Sequence, residues 1–515
     1  MRSPLRIAAL ERVLLGSLLV ACAAQTAGAF GLEDVAKRAK QLAASAYADP
    51  RGGVPQWLLD LNYDQYRDIR FRPERALWRD RNLPFSVQFF HPGFFYDRAV
   101  SIHVVSRSGA VSPVPFSPDQ FDYGRNEFGS RVPQNLGYAG FRIHYPIKSG
   151  SYHDEVAAFL GASYFRAVGR DQVYGLSARG VAIDTALSSG EEFPWFREFW
   201  LVQPAPGGQE LTLYALLDSP SASGAYRFVV APGPQTRVDV EMRLFPRRTL
   251  GKLGIAPLTS MFLHGENGAG ELADYRPEVH DSDGLLVSAS SGEWLWRPLQ
   301  NPRDLSVTSF ELVSPRGFGL VQRDRAFDHY QDIEARPDLR PSVYVQPKGE
   351  WGAGRVELVE IPTRNDTNNN IVAYWVPRAT ASAQAPVSLS YSVFWYGDDR
   401  GWPPGGRSVA TRQDGGTHPE ARRLVVDFEG EALRRLPAEA VVEGVVTVIP
   451  SRSAGPGLPQ PAELLEQQVI RNPVTGGWRL VLQVKSPDDD PVELRAFLRH
   501  GADAVTETWS YLLVP

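Results

Sequence analysis

The sequence predicts a mostly β protein made of sandwich-type or barrel-type domains. Three observations carry this. Glycine (46) and proline (41) punctuate nearly all of the 515 residues, at intervals of about eight to twelve, the spacing of short strands in sandwiches and barrels. Between them lie short runs that are wholly apolar or alternate apolar with polar. Finally, a turn-rich stretch sets off a last block with the size of one immunoglobulin-like sandwich. No internal repeat period is visible, which argues against a propeller or a solenoid.

The elements follow in order. Residues 1–29 read as an export signal. Arg2, Arg6 and Arg12 are its basic start, and residues 13–24 form an apolar stretch too short to span a bilayer comfortably. Ala27-Gly28-Ala29 fits a small-x-small cleavage site, giving a mature start at Phe30. The single cysteine, Cys22, sits in Leu19-Val20-Ala21-Cys22, which resembles a lipobox and leaves lipid attachment at Cys22 as the alternative. Either way the chain has no internal disulfide and no thiol chemistry. No later run of eighteen apolar residues occurs, so the mature chain is expected to be soluble and periplasmic, meeting a membrane only if lipidated at Cys22.

Leu32, Val35, Ala36, Ala39, Leu42 and Ala43 fall on one face of a helix predicted over 32–47, which Pro50, Gly52 and Gly53 stop. Strands are predicted at 85–90, 101–105, 140–145, 210–217, 226–230, 238–244, 356–361 and 371–376. A large domain thus spans 30–396. Residues 397–407, with Gly397, Gly401, Pro403, Pro404, Gly405 and Gly406, are the linker. The final domain, 408–515, has strands at 423–428, 440–449, 477–484, 491–498 and 506–514, interrupted by a Pro- and Gly-bearing loop at 451–461.

Composition is that of an ordinary globular chain, with 43% hydrophobic and 22% charged residues. The formal charge of −5 implies no basic surface and excludes nucleic acid as the expected partner. The 12 tryptophans are the more suggestive count. Their place is the core, or a surface where the ring face stacks on the C–H face of a pyranose.

Several tracts resemble the osmoregulated periplasmic glucan biosynthesis G and D family. They include Leu160-Gly-Ala-Ser-Tyr-Phe-Arg166, Tyr174-Gly-Leu-Ser-Ala-Arg-Gly180, Lys252-Leu-Gly-Ile-Ala-Pro-Leu-Thr-Ser-Met-Phe-Leu263, Tyr275-Arg-Pro-Glu-Val-His-Asp-Ser-Asp-Gly284, Gly292-Glu-Trp-Leu-Trp-Arg-Pro-Leu299, Asn472-Pro-Val-Thr-Gly-Gly-Trp478 and Glu507-Thr-Trp-Ser-Tyr511. The resemblance covers almost the whole mature chain and is closest to the G type. It implies a large N-terminal β-sandwich of the carbohydrate-active, mutarotase-like kind, then an immunoglobulin-like sandwich. It implies a periplasmic role in making or tailoring glucans with a β-1,2-linked backbone, with the inner-membrane glucan synthase as a partner. Family habit also favours plain signal cleavage.

Some members of that family are inverting β-1,2-glucanases or transglycosylases. Cleavage by two proton-handling groups needs no metal or organic cofactor, and none is expected here. The resemblance places the base at Asp281, in His280-Asp281-Ser282. It places the acid in a T-N-D-N-I tract, which here reads Thr367-Asn368-Asn369-Asn370-Ile371, so the acid position holds Asn369. A carboxamide donates a hydrogen bond but delivers no proton, and general acid catalysis is worth about 10²–10⁴-fold. A second departure is Pro337, before Asp338-Leu339-Arg340-Pro341, where members often carry Tyr. Asp366, three residues before Asn369, is one substitute acid, and a water held by Asn369 is another route. Weak or absent cleavage is the expectation, with the groove binding glucan.

Each remaining candidate has a plain structural reading beside the functional one. Asp281 and Asp283 flank Ser282 as turn residues do, and their spacing does not suit a calcium loop. Trp294 and Trp296 share one side of a strand, as core or as a stacking platform, with Glu293 and Arg297 able to bind hydroxyls. Trp351, among turn residues, is expected to be exposed. Arg323, Arg325, His329 and Asp332 line a polar groove or a solvated loop. His280 orients Asp281 or serves a structural hydrogen bond. Tyr275 and Arg276 complete the expected glucan-binding set.

Overall fold

The computed structural model describes residues 30–514 except 151, 269–273, 399, 419–420, 438, 451–461 and 487–490. The export signal with Cys22 and Ala29, and the 451–461 loop, therefore lie outside the described residues. The mostly β expectation holds: strands form two large sheets and several small ones, and the longest helix among the described residues is Leu32–Ala43. Among the described residues no helix is long and apolar enough to cross a membrane.

The alternation that marks a half-covered strand is clearest in Thr236–Pro246. Val238, Val240, Met242 and Leu244 are buried, while Arg237, Asp239, Glu241 and Arg243 point outward. That strand lies in a fifteen-stranded sheet, between Ala222–Ala231 and Val387–Tyr396. The sheet faces a ten-stranded one in which Leu253–Ser260 and Ile371–Pro377 are neighbours. The core between them is strongly aromatic. Phe159 stacks on Phe141 and Phe165 at 5.1 and 5.5 Å and meets Phe228 edge-on at 5.2 Å. The helix covers the outer face of the fifteen-stranded sheet, where Val35 and Ala39 pack with Trp200, Leu216 and Ala225. It ends at Ala43, four residues short of the predicted end at 47.

From Arg407, the last residue of the predicted linker, the chain folds as two facing layers. One is a sheet of Arg407–Gly415, Ala421–Glu429, Trp478–Lys485 and Glu463–Arg471. The other is Val442–Pro450, Val492–His500 and Thr508–Leu513. This second layer does not stop at the linker. Thr508–Leu513 pairs in parallel with Trp294–Pro298, so the large sheet runs through both parts of the chain. The core is shared too: Leu286, Trp296, Tyr344 and Tyr396 pack with Leu424, Leu480 and Trp509.

One buried group gives the fold a pH dependence. His91 follows the strand Ser86–Phe90 and is walled by Phe116, Phe121 and Tyr123, with Nδ1 2.6 Å from the Pro92 carbonyl. Burial pushes its pKa from 6.5 down to about 4, against the Pro92 hydrogen bond. The unfolded chain therefore binds a proton that the fold refuses. The stabilisation is complete above pH 6.5 and is lost as pH falls toward 4, by on the order of 3 kcal/mol. Urea unfolding across that window is expected to show this decline, and His91→Gln to flatten it. An unchanged slope in the variant would place the acid sensitivity elsewhere.

Candidate functional site

The site is built around the short segment that continues the central strand Leu253–Ser260 through Met261 into Phe262–His264. A strand offers its backbone groups to alternate sides. On one side Phe262 N–H donates to Asn370 Oδ1 at 2.8 Å, and Asn370 Nδ2 returns a bond to Phe262 O at 2.9 Å. On the other side Asp281 N–H donates to Met261 O at 2.8 Å, with His280 paired to Phe262. The Asn369 tract and Asp281 thus flank one segment from opposite edges. Asn370 is 3% exposed and serves as the pin, whereas its neighbour Asn369 is exposed.

Charges of alternating sign run across this place. Asp281, 6% exposed, is paired with Arg340. Burial pushes the Arg340 guanidinium down to about 10, with Asp366 pulling the other way, so it stays charged at neutral pH. Asp366 Oδ2 accepts from Arg276 Nη1 at 2.8 Å. Arg276 also reaches Asp332 at 3.2 Å and forks onto Asp274, its Nη2–Oδ2 bond being 2.7 Å. Hydrogen bonding to Asp274 holds that carboxyl at about 2. Arg276 therefore ties three carboxylates from three loops. Asp366, the substitute acid of the sequence reading, has one of its oxygens committed to that knot. Tyr275, 78% exposed, stands beside it.

Arg325 supports the row from behind, donating to the carbonyl of Arg340 at 2.8 Å and to Ser342 Oγ at 3.3 Å. It holds the loop that carries Arg340. His329 is half exposed and paired with Asp324, which raises its pKa.

His280 does not orient Asp281. Successive strand residues face opposite ways, and its ring lies among Glu278, Gln322 and Asp283. Burial disfavours its charge, but Asp283 and Glu278 outweigh this and raise its pKa. Burial raises that of Asp283 in turn. Glu278, His280, Asp283, Asp324, Glu266 and Ser408 line one small cavity where the two parts of the chain meet. Burial pushes Glu266 up to about 7 there.

Three further expectations are corrected. Trp296 is 3% exposed, sealed beneath the Arg323 guanidinium at 3.5 Å, so it offers no face to a sugar. Its strand mate Trp294 is half-buried against Tyr344 and Trp402, also in the shared core. Trp351 is buried at 6% against Trp375 and Tyr391, not exposed. Its flanking glycines, Gly349 and Gly352, turn the chain so that the ring folds inward. Arg297 is 2% exposed and grips Glu493 with two bonds of 2.8 and 2.9 Å, a junction contact with no hydroxyl-binding face.

Arg340, Glu278, Gln322 and Asn370 carry no role that their own sequence motifs reveal. Each acts through a partner distant in sequence, which no spacing rule reveals. The Asn-rich tract itself was the usable signal, since its last residue is the pin.

The family described as "Periplasmic glucan biosynthesis protein, MdoG" matches residues 30–513. A protein of Ralstonia nicotianae called "Glucans biosynthesis protein G" is 52% identical over 97% of this chain and 99% of its own length. Proteins of the same name from Sodalis glossinidius and Pseudomonas paraeruginosa are 46% and 45% identical, over 98% and 97% of this chain and 96% of each relative.

Proposed function

The chain belongs to the periplasmic glucan biosynthesis family, and from that footing we propose that it acts in the periplasm on osmoregulated glucans, holding the β-1,2-linked backbone without efficient cleavage. The observation that carries this reading is the commitment of charge around Asn369. Asp281 is taken by Arg340 and Asp366 by Arg276, while the position opposite Asp281 is an amide. Such a row suits hydroxyl-rich ligands, because fixed carboxylates and guanidinium groups accept and donate in defined directions. It lacks the poised acid that a departing sugar oxygen needs. Tyr275 supplies an exposed ring beside the row.

An inverting glucanase or transglycosylase is the second reading. The flanking of one segment by Asp281 and the Asn369 tract favours it, since an inverting pair works from opposite sides of the scissile bond. A non-catalytic partner of the inner-membrane glucan synthase is the third, and no particular side chain singles it out.

Calorimetric titration of the mature protein with linear β-1,2-glucan tests the binding reading. Saturable binding without release of reducing ends is expected, with Tyr275→Ala weakening it about five- to tenfold, the loss of one stacking contact. That ring is too exposed for its removal to disturb the core. Equal affinity for a β-1,4-glucan, or no binding at millimolar glucan, would sink the proposal.

A further inference from the structure

The cavity beneath the site holds a second cluster that the glucan reading does not use. Its logic begins with one hydrogen-bond chain. The carbonyl of Asp324 can only accept, so Tyr330 Oη donates to it, at 3.1 Å. Tyr330 Oη then accepts from Gln322 Nε2, at 2.6 Å. This turns Gln322 Oε1 toward His280 Nδ1, at 3.1 Å, so Nδ1 carries the proton. The other nitrogen, Nε2, faces Glu278 Oε2 at 2.8 Å and Asp283 Oδ1 at 3.4 Å. A neutral ring would set a lone pair against two carboxylates. A proton, on Nε2 or on a facing carboxyl oxygen, or a metal ion must therefore sit between them.

Charge and geometry decide between these. Among the described residues, Glu278, Asp283 and Asp324 form no ion pair with an arginine or lysine side chain, only with His280 or His329, while Asp283 Oδ2 accepts the backbone N–H groups of Arg323 and Asp324. The chain's other buried acids mostly do: Asp218 has Arg247, Glu357 has Lys252 and Glu507 has Arg323. A proton on Nε2 leaves the inner trio with one net negative charge. A divalent ion with a neutral ring leaves it with none, which lowers the cost of burial. Tetrahedral bonds of about 2.0–2.1 Å put donor atoms about 3.3 Å apart, close to the 3.4 Å separation from Asp283 and half an ångström beyond the 2.8 Å separation from Glu278. The donor atoms of the trio lie within 4.8 Å of one another. Gln322 is the outer partner that a metal-bound imidazole requires. Independently, Ser408 lines the same cavity at 1% exposure, and its Oγ has no hydrogen-bond partner among the described residues.

We propose that Glu278, His280 Nε2 and Asp283 bind a divalent transition-metal ion of the Zn²⁺ class, in the cavity at the junction of the two parts of the chain. One imidazole with two carboxylates suits zinc and disfavours calcium, which takes six or more oxygens. Unlike a contiguous calcium loop, this set joins a strand end to the turn after it and is oriented from residue 322. The ion fastens the base of the Asp281 turn.

Chelator-stripped, untagged protein titrated with Zn²⁺ alone tests this by equilibrium dialysis and elemental analysis. One ion per chain is expected, with a Kd tighter than about 10 µM and a raised Tm. His280→Gln and Asp283→Asn should each weaken binding about 100-fold or more, and His329→Gln only a few-fold. Where a buried substitution unfolds the chain, Co²⁺ in the native protein decides. It should give one paramagnetically shifted, slowly exchanging imidazole N–H, that of His280 Nδ1. Absence of stoichiometric binding by the native protein overturns the proposal and leaves the proton as occupant. Loss of the ion through His329→Gln alone overturns it equally, moving the metal to Glu278, Asp324 and His329.

Discussion

Asn369→Asp is expected to release reducing ends from linear β-1,2-glucan about 10²–10⁴-fold faster than the native protein, the range that a positioned general acid supplies. At about 1.4 kcal/mol per decade this is about 3–5 kcal/mol of barrier, gained by replacing one amide with one carboxyl. The position is exposed, so the change disturbs no packing. Its neighbour Asn370 remains bonded to Phe262 and Ile361 and keeps the tract in place. Asp281 lies at the opposite edge of the same segment, held by Met261 and Arg340. Adding Asp281→Asn to the gained-activity variant should return it to the native level, because the water then lacks its base. Adding Asp366→Asn should not, because the acid role is then filled at position 369 and Asp366 is no longer needed as its substitute. A variant that binds glucan and still releases nothing would show that the missing acid is not what keeps this chain from cutting. Efficient release by the native protein would show that an acid acts from somewhere else.

What could be read in the sequence and what could not divides along one physical line. Strands with one wet face announce themselves, as Thr236–Pro246 does by strict alternation. The strand Glu463–Arg471 was missed, because Glu463, Glu466, Gln467 and Gln468 are exposed and no apolar face marks it. Trp294–Pro298 fails in the opposite sense. Trp296 and Arg297 point to opposite faces of one strand, yet both are buried, at 3% and 2%. An i, i+2 pair of tryptophans cannot report which side is solvent when neither is. The site followed the same rule. Asp281 and the Asn369 tract were found through contiguous motifs. Their supports, Arg340, Arg276 and the Glu278–His280–Asp283 trio, owe their meaning to partners from other loops.

The largest stability effect should come from the junction rather than the site. Glu507 is buried, and its carboxylate meets Arg323 in a two-pronged pair, Nη1–Oε1 2.6 Å and Nη2–Oε2 2.8 Å. The same carboxylate accepts from Ser408 N–H at 2.8 Å, and Arg323 returns a bond to Ser408 O at 2.6 Å while covering the face of Trp296. One pair thus joins the loop after Gly317–Val321 to both the first and the last strands of the C-terminal block. Glu507→Gln should cost about 3–5 kcal/mol, since it leaves a guanidinium buried with no counter-charge. Urea unfolding measures this as a lower midpoint at unchanged m-value. The loss belongs mostly to the stranded partner rather than to the pair. Replacing both residues, as Arg323→Met with Glu507→Leu, should therefore recover most of it. Glu431→Gln gives the contrast: its pair with Arg435 is one helical turn apart and more than two-thirds exposed on both sides, and should cost under about 0.5 kcal/mol. If the double replacement proves as damaging as the single one, the pair itself holds the junction, through its directed bonds to Ser408, and burial of charge is not what sets the cost.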